Sequence, residues 1–290
     1  MAIVGWLAAS ALVVRRLVAR PEVRVEREAE PAGLDLETVT LVTADGEHLG
    51  AWFRRASPGR ALVLLLHGMG GTRRSFGPHA RRLASEGFGF LVPTLRGFGD
   101  SSGERIDFGW SSRADVIAAV EYLERVEPEA PRVIVGQSLG AAAAIFAAEE
   151  LGQRVNGYVL EAPYRDLEKA CRDRLARHLA PPLAAIAFAG MRLWAPLFLP
   201  VAVERLRPID AVTRFPAGVP ALFVAGARDE LAGDVRELAE RCSAAAELVV
   251  LAGRDHKDLW TLDDEHWALW RAFLERVERV ERAHAADASR

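Results

Sequence analysis

The stretch Arg132-Val133-Ile134-Val135-Gly136-Gln137-Ser138-Leu139-Gly140, followed by the alanine-rich run 141–148, constrains this chain more than any other. It reads as a short apolar strand, a sharp turn of the form GxSxG, and a helix. A turn between such elements forces its serine into a strained conformation, with the hydroxyl at the carboxyl edge of a sheet. Gly136 and Gly140 leave the room the turn needs, because a side chain at either would meet the strand or helix brought close. GxSxG also arises by chance in ordinary loops. The buried strand before it and the helix after it make this occurrence specific.

The rest of the chain agrees with such a sheet. Residues 38–43 and 48–53 flank Ala44-Asp45-Gly46, and an Asp-Gly pair between β-type runs predicts an antiparallel hairpin. Unbroken apolar runs follow at 61–66, 88–92, 133–135, 158–160, 221–225 and 248–251. Continuous rather than alternating hydrophobicity is what a strand covered on both faces needs. Helical patterns lie between the runs at 72–85, 111–125, 139–151, 234–242 and 259–284. In the last, Trp267, Trp270, Phe273, Leu274, Val277 and Val280 make one apolar face. Alternating βαβ units give an α/β fold with a mostly parallel sheet flanked by helices. The interval of about sixty residues between 160 and 220 is too long for a plain crossover. Its charged helical part, 165–177, and its apolar part, 181–203, predict a helical insertion over one end of the sheet. The competing expectation is a buried helix pair of the main core; a second membrane span fits worse, since Arg192 and prolines interrupt the run.

A serine hydroxyl is a poor nucleophile unless a base removes its proton. The strand at 219–226 ends in Ala227-Arg228-Asp229, and the strand at 247–253 is followed by Arg254-Asp255-His256. Asp229 is therefore expected to orient the imidazole of His256, which would take the Ser138 proton and later protonate the leaving group. Glu230, Asp234 and Asp255 compete for the acid role, but Asp229 is the first acid past its strand. His67, His79 and His266 do not share the position of His256 on a loop after the last strand. The negative oxygen of a tetrahedral intermediate needs two fixed N–H donors. Leu66 leads into His67-Gly68-Met69-Gly70-Gly71-Thr72, a glycine-rich turn, so the backbone N–H groups of Met69 and Leu139 are the expected pair, with His67 bracing the loop. The same glycines do not make a phosphate loop, since its lysine and serine are missing.

Composition narrows the function classes. With 37 basic and 40 acidic groups among 290 residues and half of them hydrophobic, the chain is neither disordered nor a polytopic membrane protein, and no basic cluster points to nucleic acid. Cys171 and Cys242 are too few for a disulfide scaffold or a thiolate metal site.

Residues 1–14 carry no charge, and Arg15 and Arg16 interrupt the run before Leu17. A helix through residue 19 would reach about 28 Å, near the thickness of a hydrocarbon core, if the arginines snorkel. A secretory signal fits worse, because no basic segment precedes the run. Residues 1–20 are thus expected to be a single N-terminal membrane helix and 21–35 a linker. Arg15, Arg16, Arg20, Arg24 and Arg27 would keep the remainder in the cytoplasm. The alternative is an amphipathic or disordered leader on a soluble cytoplasmic protein.

These motifs together resemble the α/β-hydrolase superfamily. The resemblance rests on the glycine turn at 67–71, Arg96-Gly97-Phe98-Gly99-Asp100, the GxSxG turn, Gly226-Ala227-Arg228-Asp229, and His256-Lys257-Asp258-Leu259-Trp260, all in family order. More narrowly, the chain resembles serine-aminopeptidase-like and monoacylglycerol-lipase-like hydrolases, in the branch with an N-terminal membrane helix. The resemblance implies an α/β-hydrolase domain over 36–290 with a helical lid at about 163–210. It also implies a cofactor-free serine hydrolase with a lid over the site. The apolar run at 181–203 points to a small-molecule or lipid-like ester or thioester with an apolar acyl group as substrate, cleaved through an acyl-Ser138 intermediate. A peptidase and a non-catalytic binding module on the same fold are the alternatives. Two positions depart from the pattern: Thr94 stands where an acid often precedes the RGxG turn, and Asp255 replaces a small residue before the histidine. Arg96 is expected to be structural.

Overall fold

The computed structural model describes residues 2–20 and 28–288; residues 21–27 of the expected linker, with Arg24 and Arg27, lie outside them. β1 (Glu37–Val42) and β2 (His48–Arg54) form the hairpin that Asp45-Gly46 predicts, with Gly46 at φ +88°. β3 (Leu62–Leu66), β4 (Gly89–Pro93), β5 (Arg132–Gln137), β6 (Gly157–Glu161), β7 (Ala221–Gly226) and β8 (Ala246–Leu251) complete one eight-stranded sheet of order β1-β2-β4-β3-β5-β6-β7-β8. β1 and β2 are antiparallel to their neighbours, and every pair from β4 through β8 is parallel.

The helices are α1 (Ala2–Val18), α2 (Gly77–Ser85), α3 (Arg113–Val126), α4 (Leu139–Leu151), α5 (Leu167–His178), α6 (Pro181–Phe198), α7 (Pro208–Ala211), α8 (Ala232–Arg241) and α9 (Asp264–Ala288). Strand residues alternate between two cores. Leu62, Leu64 and Leu66 face a cluster with Val116 and Val120 of α3, Ala141 and Ile145 of α4, and Leu238 of α8. Val63 and Leu65 face Leu83 of α2 and Trp270, Phe273 and Val277 of α9. Both faces of β3, β4, β6 and β7 are therefore buried along their whole length, which is why these strands lack polar alternation.

Three expectations change in detail. β8 is one of the two edge strands, and Val250 is exposed, so its apolar run is not covered on both faces. Residues 73–76 form a 3-10 turn before α2, opened by Thr72, whose side chain caps the Arg74 N–H. The last helix starts at Asp264, after a separate short turn at Asp258–Trp260.

Between β6 and β7 lie α5, α6 and α7. Only Ala184, Gly190 and Ala195 of α6 are buried, so α6 is not a core helix. α1 packs against it: the Trp6 indole N–H donates to the Ile186 carbonyl at 3.2 Å. Beyond α1 the chain is tied to the body, with the Ile106 N–H donating to the Val18 carbonyl at 2.7 Å and the Arg20 guanidinium donating to the carbonyls of Gly99, Ser101 and Gly103.

Candidate active site

Ser138 sits between β5 and α4 at φ +50° and ψ −107°, a conformation that side-chain-bearing residues rarely adopt. Close packing holds it there. A Cβ on Gly140 would stand 2.2 Å from the Leu66 carbonyl oxygen, and one on Gly136 would stand 2.7 Å from the Ala141 backbone. The glycines thus let α4 approach β3 and β5, as the sequence spacing requires. The Ser138 N–H donates to the Glu161 carbonyl at 2.8 Å, which fixes the turn to the end of β6.

The three side chains expected to act together meet at this edge. The Ser138 Oγ lies 3.2 Å from His256 Nε2, and His256 Nδ1 lies 2.9 Å from Asp229 Oδ2. Asp229 follows β7, is buried, and takes the Leu231 N–H on its other oxygen at 2.9 Å. Both carboxylate oxygens are thereby held, and the imidazole has one orientation between acid and hydroxyl. Trp260 packs edge-on against the His256 ring, with centroids 5.7 Å apart. The competing acids are engaged elsewhere. Asp234 pairs with Lys169 at 2.8 Å, Glu230 with Arg177, and Asp255 accepts the Lys257 and Asp258 N–H groups of its own loop.

The glycine turn after β3 lies against the serine turn. A Cβ on Gly68 would be 3.3 Å from the Gln137 carbonyl and 3.4 Å from the Ser138 Cβ, so the loop carrying Met69 borders the turn that opens with Leu139. His67 is fully buried; its Nε2 accepts the Leu95 N–H at 2.9 Å and its Nδ1 lies 2.9 Å from the Gly68 carbonyl. Burial pushes its pKa down to about 4. A neutral ring that donates through Nδ1 and accepts through Nε2 joins the loop to the end of β4. Arg96 is likewise occupied, donating to Asp115 at 2.7 Å and to Asp45 at 2.6 Å. At Thr94 the missing acid is replaced in space: its hydroxyl donates to Glu28 and accepts from Arg73, which pairs with Asp100 at 2.6 Å.

The family model described as serine aminopeptidase, S33 (Hydrolase_4), matches residues 57–221, more than half of the chain. The chain belongs to this S33 hydrolase family. Human monoglyceride lipase is 33% identical over 128 residues, 42% of each chain. A yeast protein described as an uncharacterized membrane protein (Saccharomyces cerevisiae) is 23% identical over 246 residues, covering 83% of this chain and 80% of that one. The first curated relatives, from Salmonella, are matched over about two fifths of their length. Among solved structures, an esterase of Pyrococcus furiosus superposes with a TM-score of 0.70 at 22% identity, covering 88% of this chain and 96% of that one. The fold is thus the α/β-hydrolase fold.

This member of the S33 family contains a buried network that its sequence does not mark. Glu161, the last residue of β6, accepts from the Trp270 indole at 2.7 Å and the Gln137 amide at 3.0 Å, and lies 2.5 Å from His266 Nε2. Burial opposes the charge on both partners. The charge of Glu161 and its hydrogen bond nevertheless raise the His266 pKa, and His266, Trp270 and Gln137 hold the Glu161 carboxyl below its ordinary value. The available signal was a carboxylate closing an otherwise apolar buried strand.

The helices beyond β6 lie over the same edge. Val18, Ala195 and Leu199 share a buried cluster with Ala142 and Phe146 of α4, the helix that begins just after Ser138. An apolar cavity of about 50 Å³ lies among α1, α5 and α6, lined by residues including Val14, Leu17, Phe188 and Met191, and not by Ser138 or His256. Cys171 lines it too, with its thiol pushed up to about 11 by burial.

Proposed function

We propose that this protein is a serine hydrolase that cleaves carboxylic ester or thioester bonds with apolar acyl groups through an acyl-Ser138 intermediate. The observation that carries this reading is the hydrogen-bonded line from Ser138 Oγ through His256 to Asp229, built on a serine held at positive φ.

In this mechanism His256 Nε2 takes the Ser138 proton as Oγ attacks the acyl carbon. The new negative oxygen is held by the N–H groups of Met69 and Leu139, donors fixed before reaction and so costing no reorganisation. The intermediate collapses as His256 gives the proton to the departing alcohol or thiol. A water then attacks the acyl-serine, giving its proton to His256, and the acid leaves as Ser138 is reprotonated. Asp229 accepts the hydrogen bond from the Nδ1–H of His256 throughout and stays ionised, which keeps Nε2 free to act as a base and stabilises the imidazolium.

Preference for an apolar acyl group is supported by the insertion of α5 and α6, read as a lid at about 163–210. Its apolar side chains cluster with α4 behind the serine turn. A hydrophobic cover binds a chain that water rejects. Residues 1–20 are read as the membrane-attaching segment, with the domain at 36–290 on the cytoplasmic side. The uncharged first half of α1 supports attachment, and the arginines that follow it suit the anionic cytoplasmic leaflet.

A panel of p-nitrophenyl esters of rising acyl length, acyl thioesters and aminoacyl amides tests the substrate class. Turnover of esters or thioesters, rising with acyl length, is expected. Amide turnover without ester turnover would replace this reading with a peptidase.

A further inference from the structure

We propose that α1 and α6 form one lipid-docking surface, on which the protein rests against an anionic bilayer with both helices lying in the interface. The proposal rests on the reading of the N-terminal helix as a membrane contact and extends it to α6, a helix nearly 180 residues away in the chain.

The two helices are built as a unit. Trp6 faces Ile186 and Ser10 faces Gly190, so the helices run parallel and in register. A Cβ on Gly190 would stand 2.6 Å from the Ser10 Cβ, so the small residue sets how closely the backbones approach. The ties at Val18 and Arg20 fix the far end of α1 to the body, and Ala195 and Leu199 fix that of α6. The pair cannot separate without breaking these contacts.

Its outer face is apolar and uncovered. Val4 and Leu12, on the side of α1 away from Ser10 and Val14, are 69% and 54% exposed, and Leu183, Leu193 and Leu197 on α6 are 56%, 56% and 63% exposed. Nine of the thirteen exposed large apolar side chains among the described residues lie on these two helices. Water-facing surface of this kind marks an interaction site.

The charges select the occupant. Neither helix carries an acidic side chain, and their charged residues are Arg15, Arg16 and Arg192, all exposed. Arg192 reaches Glu168 of α5 at 3.4 Å, and Arg15 and Arg16 follow the uncharged first half of α1. An apolar face that carries no acid of its own, with Arg15 and Arg16 at one end and Arg192 engaged by Glu168, matches the acyl–headgroup boundary of an anionic membrane, where the face enters the acyl region and the guanidinium groups of Arg15 and Arg16 meet phosphates. At about 1.5 Å per residue both helices are about 26 Å long. Lying flat, they would bring the carboxyl edge of the sheet toward the bilayer.

The test is flotation of the full chain with phosphatidylcholine vesicles, with and without phosphatidylglycerol. Leu193→Glu/Leu197→Glu alters α6 and Val4→Glu/Leu12→Glu alters α1; all four side chains are exposed, and an unchanged unfolding midpoint checks the fold. Each pair is expected to weaken binding on the order of tenfold or more. Arg15→Gln/Arg16→Gln is expected to abolish the advantage of phosphatidylglycerol. Binding that survives the α6 pair but not the α1 pair would overturn this proposal and leave the N-terminal reading standing. Absence of wild-type binding would overturn both. A dimer in solution that the α6 pair dissolves, without vesicle binding, would assign the face to a second copy of the chain. None of these readouts depends on hydrolysis, so the fate of the hydrolase reading is decided separately.

Discussion

The Glu161 carbonyl accepts the Ser138 N–H at 2.8 Å, so the last residue of β6 holds the turn that ends β5. Its carboxylate meanwhile receives Gln137, Trp270 and His266, tying the turn to α9. One side chain therefore connects the serine turn to the helix that covers the opposite face of the sheet.

Removing that charge should be costly and pH-dependent. Glu161→Gln leaves His266 buried without its counter-charge, and breaking a buried pair typically costs about 3–5 kcal/mol. The pair's sign follows from the shifts. The raised His266 pKa stabilises the fold fully below its ordinary 6.5 and loses that contribution as pH rises through the folded value. The lowered Glu161 pKa contributes fully above its ordinary 4.5 and is lost as pH falls through the folded value. The stability gap between wild type and Glu161→Gln should therefore be widest between these limits and narrow toward alkaline pH. Urea unfolding across pH 5 to 9 measures it, and a gap independent of pH would contradict the ionic description.

Gly140→Ala should damage both fold and turn. The added Cβ would stand 2.2 Å from the Leu66 carbonyl and 2.8 Å from that of His67, and backbone atoms cannot swing aside as a side-chain end can. A loss of about 1–3 kcal/mol is expected from such overpacking. Because relief requires α4 to move off β3, turnover should fall further than stability alone explains. Paired urea-melt and ester-turnover measurements check this.

Asp229→Asn should lower turnover by about four orders of magnitude, because an amide that donates to Nδ1 sets the imidazole in the wrong tautomer. Asp255→Asn, one residue before the histidine, should leave turnover near wild type, since Asp255 is exposed and bonds only within its loop. A reversed ranking would assign the acid role to Asp255.

Much of this arrangement is legible in the chain because each candidate residue ends a strand. Ser138 and Asp229 follow buried apolar runs and His256 follows the apolar run of β8, and a parallel sheet brings the ends of such strands to one edge. The glycines around Ser138 are legible for a related reason: close approach of backbones leaves no other residue possible there. What is not legible is pairing across long separations with no periodic mark. Glu161 and His266 stand 105 residues apart, and Thr94 borrows the carboxylate of Glu28, 66 residues earlier. The contact of α1 with α6 depends on Ser10 meeting Gly190, two small residues that no hydrophobic pattern singles out. The exposure of β8 is set by its place at the sheet edge, and strand order is not written in the hydrophobicity of the strand itself.

The central claim is that Ser138 is an activated nucleophile, and a fluorophosphonate probe reads that directly. Folded wild-type protein should be labelled, while Ser138→Ala and heat-denatured protein should not. Labelling that persists in Ser138→Ala, or a folded wild-type protein that the probe does not label, would contradict it.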